Sequence, residues 1–260
     1  MSRYVVLFLL AAAGLYGCAT SPTGRAQLML LPDAEMNQMG LQAFENLKQE
    51  TPVDTDASTN RYVNCVAQAI TREVGGNWEV VVFEDESANA FALPGGKIGV
   101  HTGLLKVAKN QDQLATVLGH EVAHVLARHS NERASQQLAV EQGLSLATAV
   151  SNTQTATGQM LMAALGVGAQ YGILMPYSRV QESEADRLGL DLMARAGFDP
   201  AQSIELWKNM SAAGGEQPPE FLSTHPSHST RISDLRAHLP EAQQLQRTAR
   251  QQGKRPACKP

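Results

Sequence analysis

The stretch from Gln111 to His129 leaves little freedom of structure, because Leu114, Val117, Leu118, Val122, Val125 and Leu126 recur at three- and four-residue spacing. That is the period of a buried α-helix. Asn110 or Asp112 is placed to cap its start. Inside the run stands His120-Glu121-Val122-Ala123-His124. Positions i and i+4 share one helix face, so both imidazoles can point at a single metal ion. Glu121 lies about 100° further round the helix, beside the open side of such an ion, where a carboxylate can act as general base. Two histidines on a half-buried face would give the same five letters, so the motif needs a third ligand.

A metzincin would carry a further histidine where this chain has Ser130 and a glycine where it has Ala127, which excludes that arrangement. Downstream, Glu182-Ser183-Glu184-Ala185-Asp186 lies in a run whose Ala185, Leu188, Leu192 and Met193 supply an apolar face. Glu182 can complete the metal site, and Asp186, one turn later, can accept the free ring N–H of His120 or His124. Glu182 and Glu184 diverge by about 160° on a helix, so only one of them can face the ion. Two histidines, a glutamate and an open position form a catalytic zinc donor set.

At 260 residues and 43% hydrophobic content the chain can bury one main domain with tails, and its net charge of -4 gives no basic surplus for nucleic acid. Few aromatics and frequent Ala, Gln and Leu favour a mainly helical α+β fold. The expected first helix follows Leu31-Pro32-Asp33 with Met36, Met39, Phe44 and Leu47 on one stripe, and a second runs from about Asn60 to Val74. Trp78 to Phe83, Asn89 to Leu93 and Lys97 to His101 then change to strand character, with Pro94-Gly95-Gly96 as a turn. They predict a small mixed sheet next to the H-E-x-x-H helix. Asn89, Ala90, Phe91 and Ala92 are the candidates for holding a substrate as an added strand, a purely structural hairpin being the other reading. Ser135 to Val150 reads as helix, Ser151 to Gly158 as a loop, and Met160 to Met175 as a buried or interfacial helix too short and too polar to span a bilayer.

Residues 1–17 have the layout of a signal peptide, with Arg3 before the apolar Val5 to Ala13. Leu15-Tyr16-Gly17-Cys18 resembles a bacterial lipobox, which implies lipidation of Cys18, a membrane anchor and an outer-membrane lipoprotein facing the periplasm. An ordinary cleavage near Ala11 to Ala13, or an uncleaved anchor, are the alternatives. Residues 18–31 are expected as a linker, 32–239 as the zinc metallopeptidase domain and 240–260 as a polar tail. Beyond Cys18 the remaining cysteines are Cys65 and Cys258, which either pair in an oxidising compartment or stay as thiols.

Taken together, His120 to Arg128, Tyr177-Ser178-Arg179 with Glu182-x-Glu184-Ala185-Asp186, His225-Pro226 with Arg231-Ile232, and Asn89-Ala90-Phe91-Ala92-Leu93-Pro94-Gly95-Gly96 resemble the CAAX prenyl endopeptidases, a gluzincin family, in its soluble bacterial lipoprotein branch. The likeness runs from about Tyr62 to Leu239. It implies a gluzincin-type helical domain with a small sheet, one Zn2+ per chain held by His120, His124 and Glu182 rather than Glu184, and endopeptidase activity on unfolded or misassembled envelope proteins. A noncatalytic periplasmic chaperone or outer-membrane assembly factor with a structural zinc is the competing class. The resemblance also places His225 and Arg231 beside the metal. A histidine before proline is expected extended, on a loop at a cleft mouth. There it would either donate to the oxyanion formed during attack or plug the open zinc position in the resting state.

Overall fold

The structure is a computed structural model that describes residues 18–150, 177–213, 220–225 and 230–259. The expected signal peptide, the loop from Ser151 to Gly158 and the helix from Met160 to Met175 lie outside the described residues. In chain order the elements are β1 (Cys18–Thr20), β2 (Ala26–Leu28), α1 (Asp33–Glu50), α2 (Ala57–Thr71), β3 (Glu79–Phe83), β4 (Ala90–Leu93), β5 (Lys97–His101), α3 (Thr102–Val107), α4 (Gln111–Leu126), α5 (His129–Val150), α6 (Arg179–Arg195), α7 (Gln202–Ala213), α8 (Glu220–Thr224) and α9 (Arg231–Gln251). They fall into two units, one built from Met1–Glu35 with Arg128–Met175 and the other from Met36–Ala127 with Pro176–Pro260.

In the first unit β1 and β2 form an antiparallel hairpin closed by a turn in which Ser21 N–H donates to Arg25 O at 2.8 Å and Gly24 takes a φ of 90°. Arg25 grips the Glu132 carboxylate of α5 with both terminal nitrogens, and Gln27 Nε2 donates to Glu132 Oε2 at 3.2 Å. Residues 18–31 are therefore no simple linker. Two of their polar side chains, Arg25 and Gln27, are engaged in pairing with the buried Glu132 carboxylate.

The second unit holds the site. On α2, Tyr62, Val63, Val66, Ala67 and Ile70 are buried, and Asp56 caps the helix by accepting from Thr59 N–H at 2.7 Å. The sheet has the order β3-β5-β4, with β3 parallel and β4 antiparallel to β5. It is mixed, as the sequence predicts, and β4 is an edge strand. The opposite edge is closed by residues 52–54: Asp54 N–H donates to Val82 O at 2.9 Å and Glu84 N–H to Pro52 O at 2.8 Å. On α1 the predicted stripe is only partly buried: Met36 and Phe44 enter the core but Met39 is 53% exposed, with Gly40 packed on the Pro94 backbone instead.

Asn110 caps α4 through its Oδ1, which accepts from Asp112 N–H and Gln113 N–H at 3.0 and 2.9 Å. The helix stops at Leu126, earlier than its apolar period suggests, because Arg128 adopts a φ of 55° that breaks the turn before His129 opens α5. Ser178 and Gln181 form a capping box at the start of α6. Where α4 and α6 cross, Gly119 faces Gly189, and a Cβ built on either would stand 2.8 or 2.7 Å from the other helix's backbone. Only glycine at both positions permits that approach.

Residues 240–260, expected as a polar tail, are part of the fold. Helix α9 runs through Pro240, burying Ala242 and Ala249, and the last residues return to α2, where Cys258 is bridged to Cys65 with a Cα–Cα distance of 5.7 Å. The bridge closes a loop of sequence separation 193, for which chain entropy gives about 5 kcal/mol against the unfolded state. No helix among the described residues is long and apolar enough to cross a membrane.

Candidate active site

Helix α4 presents His120, Glu121 and His124 on its buried face, and α6 presents Glu182 and Asp186, one turn apart, across the glycine crossing. His225 directly follows α8. His120, His124, Glu182 and His225 are all buried and offer ligand atoms that lie within 4.8 Å of one another. His120 Nε2 is 3.0 Å from His124 Nε2 and 3.2 Å from His225 Nδ1, while Glu182 Oε1 is 3.0 Å from His225 Nδ1 and 3.4 Å from His124 Nε2. A tetrahedral zinc with bonds of about 2.0–2.1 Å separates its ligands by about 3.3 Å. The donor set and its spacing therefore fit zinc. Buried carboxylate atoms point the same way, since Glu182 Oε2 and Glu121 Oε1 accept no hydrogen bond among the described residues. Arg231 Nη1 does lie 2.9 Å from Glu182 Oε2, an ion-pair contact without hydrogen-bond alignment.

Around these atoms, Asp186 Oδ1 is 3.0 Å from His120 Nδ1, which suits an N–H donated by the ring and leaves Nε2 for a metal. Arg231 donates to Asp186 through Nε at 2.6 Å and Nη2 at 2.8 Å, and its guanidinium carbon sits 3.8 Å from the centre of the Trp207 ring. Glu184 is also buried but stands outside the ligand cluster. His225 follows the last residue of α8 and is buried rather than open at a cleft mouth. Its N–H donates to Phe221 O at 2.8 Å, closing the helical turn, and its ring is stacked on Phe221 at 4.5 Å and is 3% exposed. Its Nε2 lies 3.4 Å from Glu121 Oε1.

The electrostatics follow from burial and proximity. Burial drives the Glu121 carboxyl up, against the pull of His225 and His120. Burial works on Glu182 in the same sense, but its contacts with His120, His124 and His225 win and hold it far below the ordinary range. His124 is lowered, burial being the chief cause. Burial opposes charge on His120 too, yet Asp186 and Glu182 raise it to about 9. Asp186 is lowered because Arg231 and His120 together outweigh its burial.

The expected substrate strand borders this cluster. His101 N–H donates to Asn89 O at 3.0 Å, so the antiparallel alternation turns the backbone groups of Ala90 and Ala92 away from β5. The Ala92 N–H reaches Glu121, and Phe221 N–H donates to Ala88 O at 3.3 Å on the same edge. Phe91 pairs with Gly99 and lays its ring where a Cβ on that glycine would be. Asn89 Oδ1 is buried without a hydrogen-bond partner among the described residues.

Sequence reasoning missed Gly119 and Gly189, which set the distance between the two ligand-bearing helices, and Trp207 and Phe221, which brace Arg231 and His225. A lone glycine inside each helical pattern was the available signal for the first pair. Nothing in the pattern marked the aromatics as other than core.

Residues 54–239 match the family profile described as Peptidase family M48. The chain belongs to that family. It is similar to mitochondrial metalloendopeptidase OMA1 of Schizosaccharomyces pombe, 40% identical over 196 residues covering 74% of this chain and 56% of the relative. The human mitochondrial OMA1 is 32% identical over 240 residues, 85% of this chain and 45% of the relative. The beta-barrel assembly-enhancing protease of Escherichia coli is 31% identical over 210 residues, 76% of this chain and 42% of the relative. The chain spans about half the length of these curated relatives.

Proposed function

We propose that the protein is a zinc endopeptidase that hydrolyses misfolded or misassembled envelope proteins. The observation that carries this is Glu121: a buried carboxylate on the metal-facing side of α4, outside the four-ligand cluster, with one oxygen lacking a hydrogen bond. When bound by His120, His124 and Glu182, zinc polarises a carbonyl and acidifies water. Glu121 takes the proton of the attacking water and returns it to the leaving amine. Asp186, itself fixed by Arg231, keeps His120 in the tautomer that frees Nε2. The outer edge of β4 receives the substrate backbone as an added strand at Ala90 and at the carbonyl of Ala92, whose N–H is held by Glu121 in the resting protein, with Asn89 Oδ1 as a further acceptor. Peptide selection through main-chain groups suits substrates defined by exposure rather than by sequence.

With zinc bound in the resting protein, His225 would be the fourth ligand. Its Nδ1 stands within the cluster at 3.0 Å from Glu182 Oε1, and its Nε2 faces the base. Substrate entry requires it to leave. The finer family placement, with the soluble lipoprotein branch of the CAAX prenyl endopeptidases, and the outer-membrane location through lipidated Cys18 belong to the same reading. Support for the envelope comes from the lipobox-like Leu15-Tyr16-Gly17-Cys18 and from the E. coli relative whose name refers to β-barrel assembly.

One observation favours a second reading, a noncatalytic chaperone or assembly factor, since four closed ligands are also how a structural zinc is held. Such a site has no use for Glu121. Casein cleavage by wild type and Glu121→Gln, each with measured zinc content, separates the two. The catalytic reading expects zinc unchanged and turnover lowered roughly 100- to 10,000-fold; equal activity in both proteins would sink it.

A further inference from the structure

The polar side of α2 is a second feature of the same unit that the catalytic reading does not use. Arg61, Asn64, Cys65, Gln68, Ala69, Arg72 and Glu73 recur at helical spacing and line one side of a cavity of about 940 Å³. Gln252, Gly253, Lys254, Arg255 and Pro256 form the other side. This strap is fastened across the helix by the Cys65–Cys258 bridge, by Lys254 Nζ donating to both Glu73 oxygens at 2.8 Å, and by Gln111 Nε2 donating to Pro256 O at 3.1 Å. The groove is thus a built feature, held at the bridge and at two polar contacts.

Its charge is out of keeping with the rest of the chain. Four cations, Arg61, Arg72, Lys254 and Arg255, meet a single carboxylate, Glu73, in a protein of net charge -4. Lys254 is neutralised by Glu73. The guanidinium groups of Arg61, Arg72 and Arg255 make no hydrogen bond or ion pair among the described residues, and only Arg61 has a carboxylate, Asp56, acting on it at longer range. Three guanidinium forks whose N–H groups are unengaged around one groove call for clustered anionic oxygens.

The spacing selects among anions. Arg61 and Arg72 are separated by about three turns of helix, roughly 16 Å, which is too far for one compact polyphosphate but matches about five residues of extended peptide. Between the arginines lie Gln68 and Asn64, the latter with one Nδ2 hydrogen already given to Asn60 O at 2.9 Å, and Gln252 stands opposite. Side-chain amides offer both donor and acceptor, and a peptide backbone presents both, whereas a phosphate chain presents acceptors only. We infer that this groove binds an extended acidic peptide segment, with arginines taking its carboxylates and the amides its main chain.

The test is fluorescence anisotropy of a labelled Glu-Ser-Glu-Ser-Glu peptide on the intact disulfide-bonded protein, with the glutamine counterpart as control. The acidic peptide should bind, the glutamine peptide should not, and binding should weaken as salt screens the contacts. Arg61→Gln, Arg72→Gln and Arg255→Gln combined should weaken it by about tenfold or more. Should the triple variant fold poorly by circular dichroism, the three single variants carry the same test. Arg236→Gln with Arg247→Gln, charges elsewhere on the exposed face of α9, should leave binding unchanged. Equal binding by the triple variant, equal weakening by the Arg236 and Arg247 changes, or no binding at low salt would overturn the inference. Tripolyphosphate binding while the peptide does not would overturn it in favour of a small-polyanion site. The peptide reads binding alone, so the result stands apart from whether the chain cleaves proteins.

Discussion

Three of the clustered ligand residues stand on long helices and the fourth follows a single turn. His120 and His124 belong to α4, 16 residues long, and Glu182 to α6, 17 residues long, and the two helices touch backbone to backbone at Gly119 and Gly189. His225 follows α8, only 5 residues long, and is held by its own N–H to Phe221, by stacking on that ring, and by Phe221 N–H on Ala88 O. The contrast marks where the site is fixed and where it can give. Moving a long helix would break a packed core, whereas moving His225 breaks one turn, its ring contacts with Phe221 and Tyr177, and the Arg231 Nη1 donation to its carbonyl at 3.4 Å. A hydrolase that must exclude a resident ligand before each substrate would place that ligand on the weaker element.

The largest effect should come from the strong side. Glu182→Gln removes the carboxylate from the cluster and should abolish both zinc binding and cleavage, a loss beyond the ~10–100-fold typical of an orienting partner. Glu184→Gln, two residues away and outside the cluster, should keep its zinc. Metal content by atomic absorption and casein cleavage read both; a reversed outcome would mean that the helix register of α6 is misassigned.

Next in size is the crossing itself. Gly189→Val places a Cβ 2.7 Å from His120 N, backbone that cannot step aside. Overpacking of this kind costs about 1–3 kcal/mol, seen in the midpoint of urea unfolding, and zinc affinity should fall with it because His120 is the atom group displaced. The same substitution at Gly75, where nothing stands within 4 Å of an added Cβ, tests backbone strain alone, since that glycine has a φ of 72°. If the Gly75 variant lost zinc equally, close helix approach would not be what sets the ligand spacing.

The weak side makes the opposite forecast. His225→Ala should retain zinc on the three remaining ligands and leave cleavage equal or raised. A fall of roughly 100-fold or more with zinc retained would identify His225 as an oxyanion donor instead.

What the sequence disclosed divides along the same line. The strong side was legible because metal chemistry restricts both residue type and spacing: His120 and His124 could be picked out, with a carboxylate from the Glu182–Asp186 run, while the choice of Glu182 over Glu184 came from the family resemblance. The glycine crossing was not, since a lone glycine does not say which helix will pass over it. His225 was visible as a residue but not in its setting: α8 stops at Thr224, as a residue before proline favours, yet the His225 N–H closes the last turn on Phe221 O and its ring is buried against Phe221. The tail beyond Leu239 and the segment after Cys18 were misjudged for one reason. Polar composition says that side chains want partners, not whether those partners are water or, as for Arg25 and Gln27, a buried carboxylate.

The smallest effect expected concerns the framework on which the strong side rests. Tyr62 lies in the core face of α2, and burial, with the Asp112 charge of α4 adding to it, pushes its hydroxyl up to about 12 from an ordinary 10.0. The folded protein therefore holds the phenol proton more tightly than the unfolded chain does. Stability from this source is complete below the unfolded pKa and is lost as pH rises from 10.0 toward about 12. Urea midpoints at about pH 9 and about pH 11 should show the wild type falling more than Tyr62→Phe, which cannot ionise. Because Tyr62 is not one of the clustered ligands, the zinc content of Tyr62→Phe at neutral pH should match wild type. An alkaline loss of equal size in both proteins would remove Tyr62 as its source and leave the framework's packing, not its ionisation, as the limit.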